Sequence, residues 1–159
     1  MPRLTIIGIG SPFADDRAGW NVVETLLASK QVAAYAEHVV VTVCHSPVSE
    51  LLSLLMNTDI AIIVDAVRYC GAPGTIYRLA DMDSPLPATK ILSSHGIDLI
   101  TMYALADTLG HSPGMMIIYG IEAGPDSAPG MAMCQSVGRA VVRVAEDIKR
   151  DVANYFSYE

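Results

Sequence analysis

Leu4-Thr5-Ile6-Ile7-Gly8-Ile9-Gly10-Ser11-Pro12 is a short apolar run, almost unbroken, that stops at a Gly-Ser-Pro punctuation. A strand buried on both faces reads this way, because neither face has to present polar side chains to water. A helical pattern follows at once, with Val22, Val23, Leu26 and Leu27 on one face and Asp15 and Asp16 in the first turn, where the helix dipole favours negative charge. Strand, tight turn and helix in that order are the opening of a parallel α/β sheet.

The pattern repeats. Val39-Val40-Val41-Thr42-Val43 is β-branched and apolar, and Cys44-His45 leads to Ser46 as a helix cap and Pro47 at the first helical position. Ile60-Ala61-Ile62-Ile63-Val64 is a third strand that delivers Asp65 at its carboxyl end. Gly71-Ala72-Pro73-Gly74 reads as a turn into Thr75-Ile76-Tyr77-Arg78-Leu79, a strand expected antiparallel to the third. Past a Pro-rich loop through Pro85 and Pro87, Ser93 or Ser94 caps a helix with an apolar stripe of Leu99, Met102, Tyr103, Ala106 and Leu109, ended by Gly110. Met115-Met116-Ile117-Ile118-Tyr119 is a last strand. A long closing helix buries Val137, Val141, Val144, Ala145, Ile148 and Val152 and turns Arg139, Arg143, Glu146 and Lys149 to solvent. The expected fold is a single three-layer α/β domain over residues 1–159, a mostly parallel twisted sheet of about five strands with helices on both faces.

Composition narrows the function. At 159 residues and 52% hydrophobic the chain can build one substantial core. Its apolar runs fall well short of the ~18 residues of a membrane span, and the first is too short for a signal peptide, so a cytoplasmic protein is expected. Three widely spaced cysteines, Cys44, Cys70 and Cys134, give neither a disulfide framework nor a thiolate zinc site. A formal charge of −7 with no basic stripe argues against nucleic acid as partner.

Asp16, Asp65 and His95 each fall where a strand ends or a helix begins. In an open α/β sheet such places gather along one edge. Two carboxylates and an imidazole there can hold a divalent metal, and a helix amino terminus keeps the imidazole of His95 neutral, the form that ligates. Each residue taken alone has an ordinary reading: Asp16 as a dipole-complementing acid, Asp65 as a loop-start acid on backbone amides, His95 with a single hydrogen bond. Asp15, about 100° further round a helix, reads as a solvated or capping acid. His38 and His111 read as surface residues. No His-Glu-x-x-His, no Gly-x-Ser-x-Gly and no singled-out nucleophile is present.

Four stretches carry a resemblance across most of the chain: Gly8-Ile9-Gly10-Ser11-Pro12-Phe13-Ala14-Asp15-Asp16, Ile62-Ile63-Val64-Asp65-Ala66, Ala72-Pro73-Gly74-Thr75 and Ser93-Ser94-His95-Gly96. In this collinear order they resemble the hydrogenase maturation endopeptidases, nearest to the branch serving soluble or bidirectional nickel-iron hydrogenases. The resemblance implies a protease that removes a short C-terminal extension from the nickel-iron hydrogenase large-subunit precursor after nickel insertion. It implies that Asp16, Asp65 and His95 recognise nickel carried by the precursor. No tightly bound organic cofactor is expected, and a monomer is expected. The family's first acid is often Glu, so Asp16 shortens the reach by one methylene. Where many members carry Asp-Gly-Gly-Thr after strand two, this chain has Val43-Cys44-His45-Ser46-Pro47, which leaves His45 open as a ligand, a precursor contact or a plain loop residue. Two other readings stand beside this one. A noncatalytic nickel-dependent binding protein would use the same three ligands. A nucleotide or flavin module would use Gly8-x-Gly10, although its third glycine is replaced by Phe13 and the nearby acids would repel a pyrophosphate.

Overall fold

The computed structural model describes residues 3–80, 99–125 and 130–157. Five strands form one sheet: β1 (Leu4–Ile9), β2 (Val39–Cys44), β3 (Ile60–Val67), β4 (Ile76–Leu79) and β5 (Met115–Glu122), in the order β2-β1-β3-β5-β4. All pairings are parallel except that of β4 with β5. The expected direction of β4 holds. The strand runs antiparallel to β3 and pairs with β5, which is inserted between them.

Alternation along each strand sorts the side chains into two cores. On one face Leu4, Ile6, Ile62, Val64, Ile117 and Tyr119 pack against the helices α1 (Ala18–Leu27), α2 (Lys30–Ala33) and α5 (Gln135–Ser157). On the other, Ile7, Ile9, Ala61, Ile63, Met116 and Ile118 meet α3 (Pro47–Met56) and α4 (Leu99–Thr108). This is the three-layer sandwich expected from the apolar runs. In α5 the expected stripe is buried from Val137 to Val152.

Two apolar residues depart from expectation. Leu27 is 62% exposed and Leu109 49% exposed. Leu27 closes the last turn of α1, and Leu109 lies past the end of α4, so neither has a neighbouring element to pack on. Asp15 and Asp16 are not in the first turn of α1 but in a separate 3-10 turn, Ala14–Arg17, that precedes it. Ser46 stands at the cap position of α3 with Pro47 following, but its side chain makes no capping hydrogen bond.

Glycines set how closely α1 lies on the sheet. A Cβ on Gly19 would come within 2.1 Å of the Ile9 carbonyl oxygen and 2.6 Å of that of Val64. A Cβ on Gly8 would lie 2.3 Å from the Gly19 carbonyl oxygen. Helix and strand backbones therefore touch where Gly8 and Gly19 meet, and α1 drops its amino end onto the carboxyl ends of β1 and β3. Gly8 is spent on this contact, and a Cβ on Gly10 would strike the Trp20 ring at 2.7 Å. Neither glycine opens the phosphate cradle that a nucleotide-binding reading of Gly8-x-Gly10 would need.

The Ala72-Pro73-Gly74-Thr75 stretch is the turn its sequence announces. Thr75 N donates to Ala72 O at 3.1 Å, and Gly74, at φ +87°, takes the left-handed conformation at the third position of a type II turn. Gly74 N donates to Glu122 O and Glu122 N to Thr75 O, so Gly74 and Thr75 together face one residue of β5 as a glycine bulge. The register of β4 on β5 starts from that bulge.

Candidate active site

The order β2-β1-β3-β5-β4 reverses direction between β1 and β3, and in open α/β sheets the crevice outside that switch point is where ligands bind. Both acids read from the sequence lie there. The 3-10 turn after β1 carries Asp16, and Asp65 is the sixth residue of β3, past the last residue paired with β1, Val64. Strand β3 continues to Val67, so Asp65 belongs to the strand itself rather than to the loop after it.

Asp65 is 1% exposed. It follows the parity of Ala61 and Ile63, which places it on the α3/α4 face. Its register partner on β5 is Gly120, whose own partner on β4 is Tyr77, so the row Asp65, Gly120, Tyr77 crosses three strands with no side chain at its centre. Tyr77 meets Tyr69 edge-on at 5.2 Å between ring centroids. The Tyr69 hydroxyl is pushed up to about 12 by burial first, with the charges of Asp65 and Glu122 adding to it. It stays a neutral donor throughout the physiological range.

Glu122, 2% exposed, closes β5 on the same face. Its carboxylate accepts the backbone N–H groups of Tyr69 at 2.9 Å and Gly71 at 2.9 Å, and the Tyr77 hydroxyl. It is a bracket for the loop between β3 and β4. Sequence reasoning passed it over, although an acid closing the apolar run Ile117 to Ile121 carries the same signal that marked Asp65.

Asp16 is partly exposed, and its Oδ1 accepts from Arg68 Nη2 at 3.0 Å. Arg68 Nη1 donates to the Gly124 carbonyl at 2.5 Å. Asp15 is not the solvated or capping acid expected: it is 3% exposed and accepts from Gly124 N and Cys134 N, each at 2.8 Å. The 3-10 turn, rather than a continuous helix, sets its direction. One acid of the pair turns inward as a tie between loops and the other outward into the crevice, and no periodicity in the sequence separates the two roles.

His45 follows β2 at the same edge. Its imidazole is exposed and stands edge-on to Trp20 at 4.8 Å, its backbone N–H donates to Glu50 at 3.1 Å, and Trp20 Nε1 donates to the Cys44 carbonyl at 3.3 Å. The Cys44 thiol is buried and pushed up to about 12, first by burial and then by the Glu50 carboxylate. It is inert. His38 is half-buried beside Phe156 and His111 is exposed, both away from this edge.

His95, with Ser93, Ser94, Pro85 and Pro87, lies outside the described residues. Among the described residues no three His, Cys, Asp or Glu side chains converge as a metal-binding group, and no helix is long and apolar enough to cross a membrane.

A model of the hydrogenase maturation protease family, HycI, matches residues 20–151. Among solved structures, the hydrogenase maturating endopeptidase HybD from E. coli is similar at a TM-score of 0.75 and 22% identity, over 96% of this chain and 93% of that one. An endopeptidase from Escherichia coli solved in solution gives 0.72 at 23%, over 92% and 89%. The NiFe hydrogenase maturation protease HycI from Thermococcus kodakarensis KOD1 gives 0.66 at 21%, over 94% and 91%. No curated protein matches the chain. At such identities the solved structures speak for the fold, and the family model, which spans most of the chain, speaks for membership. The chain belongs to the hydrogenase maturation protease family and is a hydrolase of the endopeptidase class.

Proposed function

We propose that this protein cuts the C-terminal extension from a nickel-iron hydrogenase large-subunit precursor once nickel has been inserted, and that Asp16, Asp65 and His95 recognise that nickel. The observation that carries the reading is the placement of Asp16 and Asp65 on either side of the switch point between β1 and β3, one partly open to the crevice and the other buried beneath it. Carboxylate oxygens with an imidazole nitrogen suit a first-row divalent ion. The nickel is part of the substrate, and the protease is a cytoplasmic monomer with no resident organic cofactor.

Two roles for the acids follow from their surroundings. Asp65, on a rigid central strand, is the fixed point against which a scissile peptide bond is placed. Asp16, on a short turn, is the group that can reorient. A carboxylate then accepts the proton of the attacking water, and the neutral Tyr69 hydroxyl, which senses the Asp65 charge, is a donor at the wall of the site.

The decisive experiment incubates the protein with nickel-loaded and nickel-free precursor and reads the intact mass of the large subunit. Loss of a C-terminal peptide from the loaded form alone is the expected result. An unchanged mass with a confirmed cognate precursor would refute the reading.

A further inference from the structure

Arg68 holds the carboxylate that the proposed function gives to nickel, and this inference rests on that reading. The guanidinium is fixed at two points: Nη2 donates to Asp16 and Nη1 to the Gly124 carbonyl. The same residue, Gly124, gives its N–H to the buried Asp15, whose other oxygen takes Cys134 N. Two neighbouring acids thus reach one residue, Gly124, Asp15 through its N–H and Asp16 through Arg68 on its carbonyl.

That arrangement differs from an ordinary surface ion pair, which gains little because two long side chains must be ordered for it. Here Gly124 orders the guanidinium in advance, and a guanidinium keeps its charge at every accessible pH. A free hydrated dication approaching Asp16 therefore meets a fixed positive charge and has to displace it, with nothing to offer Arg68 in exchange. Nickel carried in a protein arrives with that protein's anionic ligands and backbone carbonyls, which can accept from Arg68 as Asp16 turns to the metal.

We propose that Arg68 is a specificity-determining positioning residue that keeps Asp16 oriented and makes the site refuse free divalent ions, yielding only to metal presented by the precursor. Trp20, the single tryptophan of the chain, provides the readout, since a Cβ on Gly10 would sit 2.7 Å from its ring and 2.9 Å from the Asp16 carbonyl oxygen.

The test titrates untagged full-length protein with Ni2+ alone, following Trp20 quenching and confirming affinity by calorimetry, with circular dichroism to establish the fold of each variant. Arg68→Gln should bind Ni2+ about tenfold more tightly than wild type, the equivalent of about 1.4 kcal/mol. Arg68→Lys, which keeps the charge but not the fork, should stay within about threefold of wild type. Adding Asp16→Ala to Arg68→Gln should erase the gain. A gain that survives Asp16→Ala arises elsewhere and overturns the proposal, as does wild-type affinity in a folded Arg68→Gln. If that last result comes with loss of binding in Asp16→Ala alone, Asp16 remains a nickel ligand and only the role of Arg68 falls. If no variant binds Ni2+, the proposal falls, while the precursor assay still decides the proposed function.

Discussion

Asp15 and Asp16 show how little sequence adjacency says about role. Asp15→Ala removes the acceptor of two backbone N–H groups, those of Gly124 and Cys134, and leaving such groups unpaired costs about 1–3 kcal/mol each. A loss of ~2–4 kcal/mol in urea denaturation is expected for it, against under 1 kcal/mol for Asp16→Ala, whose partner is half-exposed. Processing should respond differently: Asp65→Asn and Asp16→Ala should each slow precursor cleavage by about 10²-fold or more while the fold survives, as loss of a proton acceptor or positioning carboxylate does. The cysteines separate as sharply. At pH 8 Cys44, held near 12, stays a thiol and should resist iodoacetamide, whereas Cys134, exposed and lowered by hydrogen bonds from Ser136 and the backbone, should be alkylated first, as peptide mass spectrometry would show. Of the site, Asp65 was legible because an acid that ends an apolar run has to be held by something. The place of Arg68 was not, since its contacts are with residues 52 and 56 positions away, and no local pattern encodes those.

At the scale of elements, the first helix and the first strand are fitted backbone to backbone. Gly19→Ala would place a methyl group 2.1 Å from the Ile9 carbonyl, and backbone atoms cannot step aside as a flexible side chain does. Destabilisation of about 1–3 kcal/mol or more is expected, read as a lower urea midpoint. Because the 3-10 turn leads directly into α1, the same change should impair cleavage by moving Asp16, even under conditions where the variant is still folded. The strands and the long closing helix could be read from the chain, because period-two and period-3.6 patterns are local consequences of burial. The pairing of β4 could not. A turn signal fixes that the chain doubles back, but which strand it then meets depends on what is inserted between β3 and β4, and β5 lies 35 residues further along. Leu27 and Leu109 were misread for a related reason: a periodic stripe says which side of a helix is apolar and not where the neighbouring layer ends.

For the molecule as a whole, the sheet is a wall between two cores, and the working edge is built from the ends of β1, β2, β3 and β5 together. Ile63 is fully buried at the centre of that wall, so Ile63→Asp places an unpaired charge in the α3/α4 core and should abolish cooperative unfolding altogether, with a flat denaturation profile in place of a transition. The insertion of β5 between β3 and β4 also imposes an order on synthesis. When β4 leaves the ribosome its sheet partner β5 does not yet exist, and at roughly 5–20 residues per second the wait lasts on the order of seconds. The core on the other face waits longer still, for α5. The nascent chain must therefore carry Arg78 and Tyr77 on an unmatched ribbon until Tyr119 and Gly120 are translated.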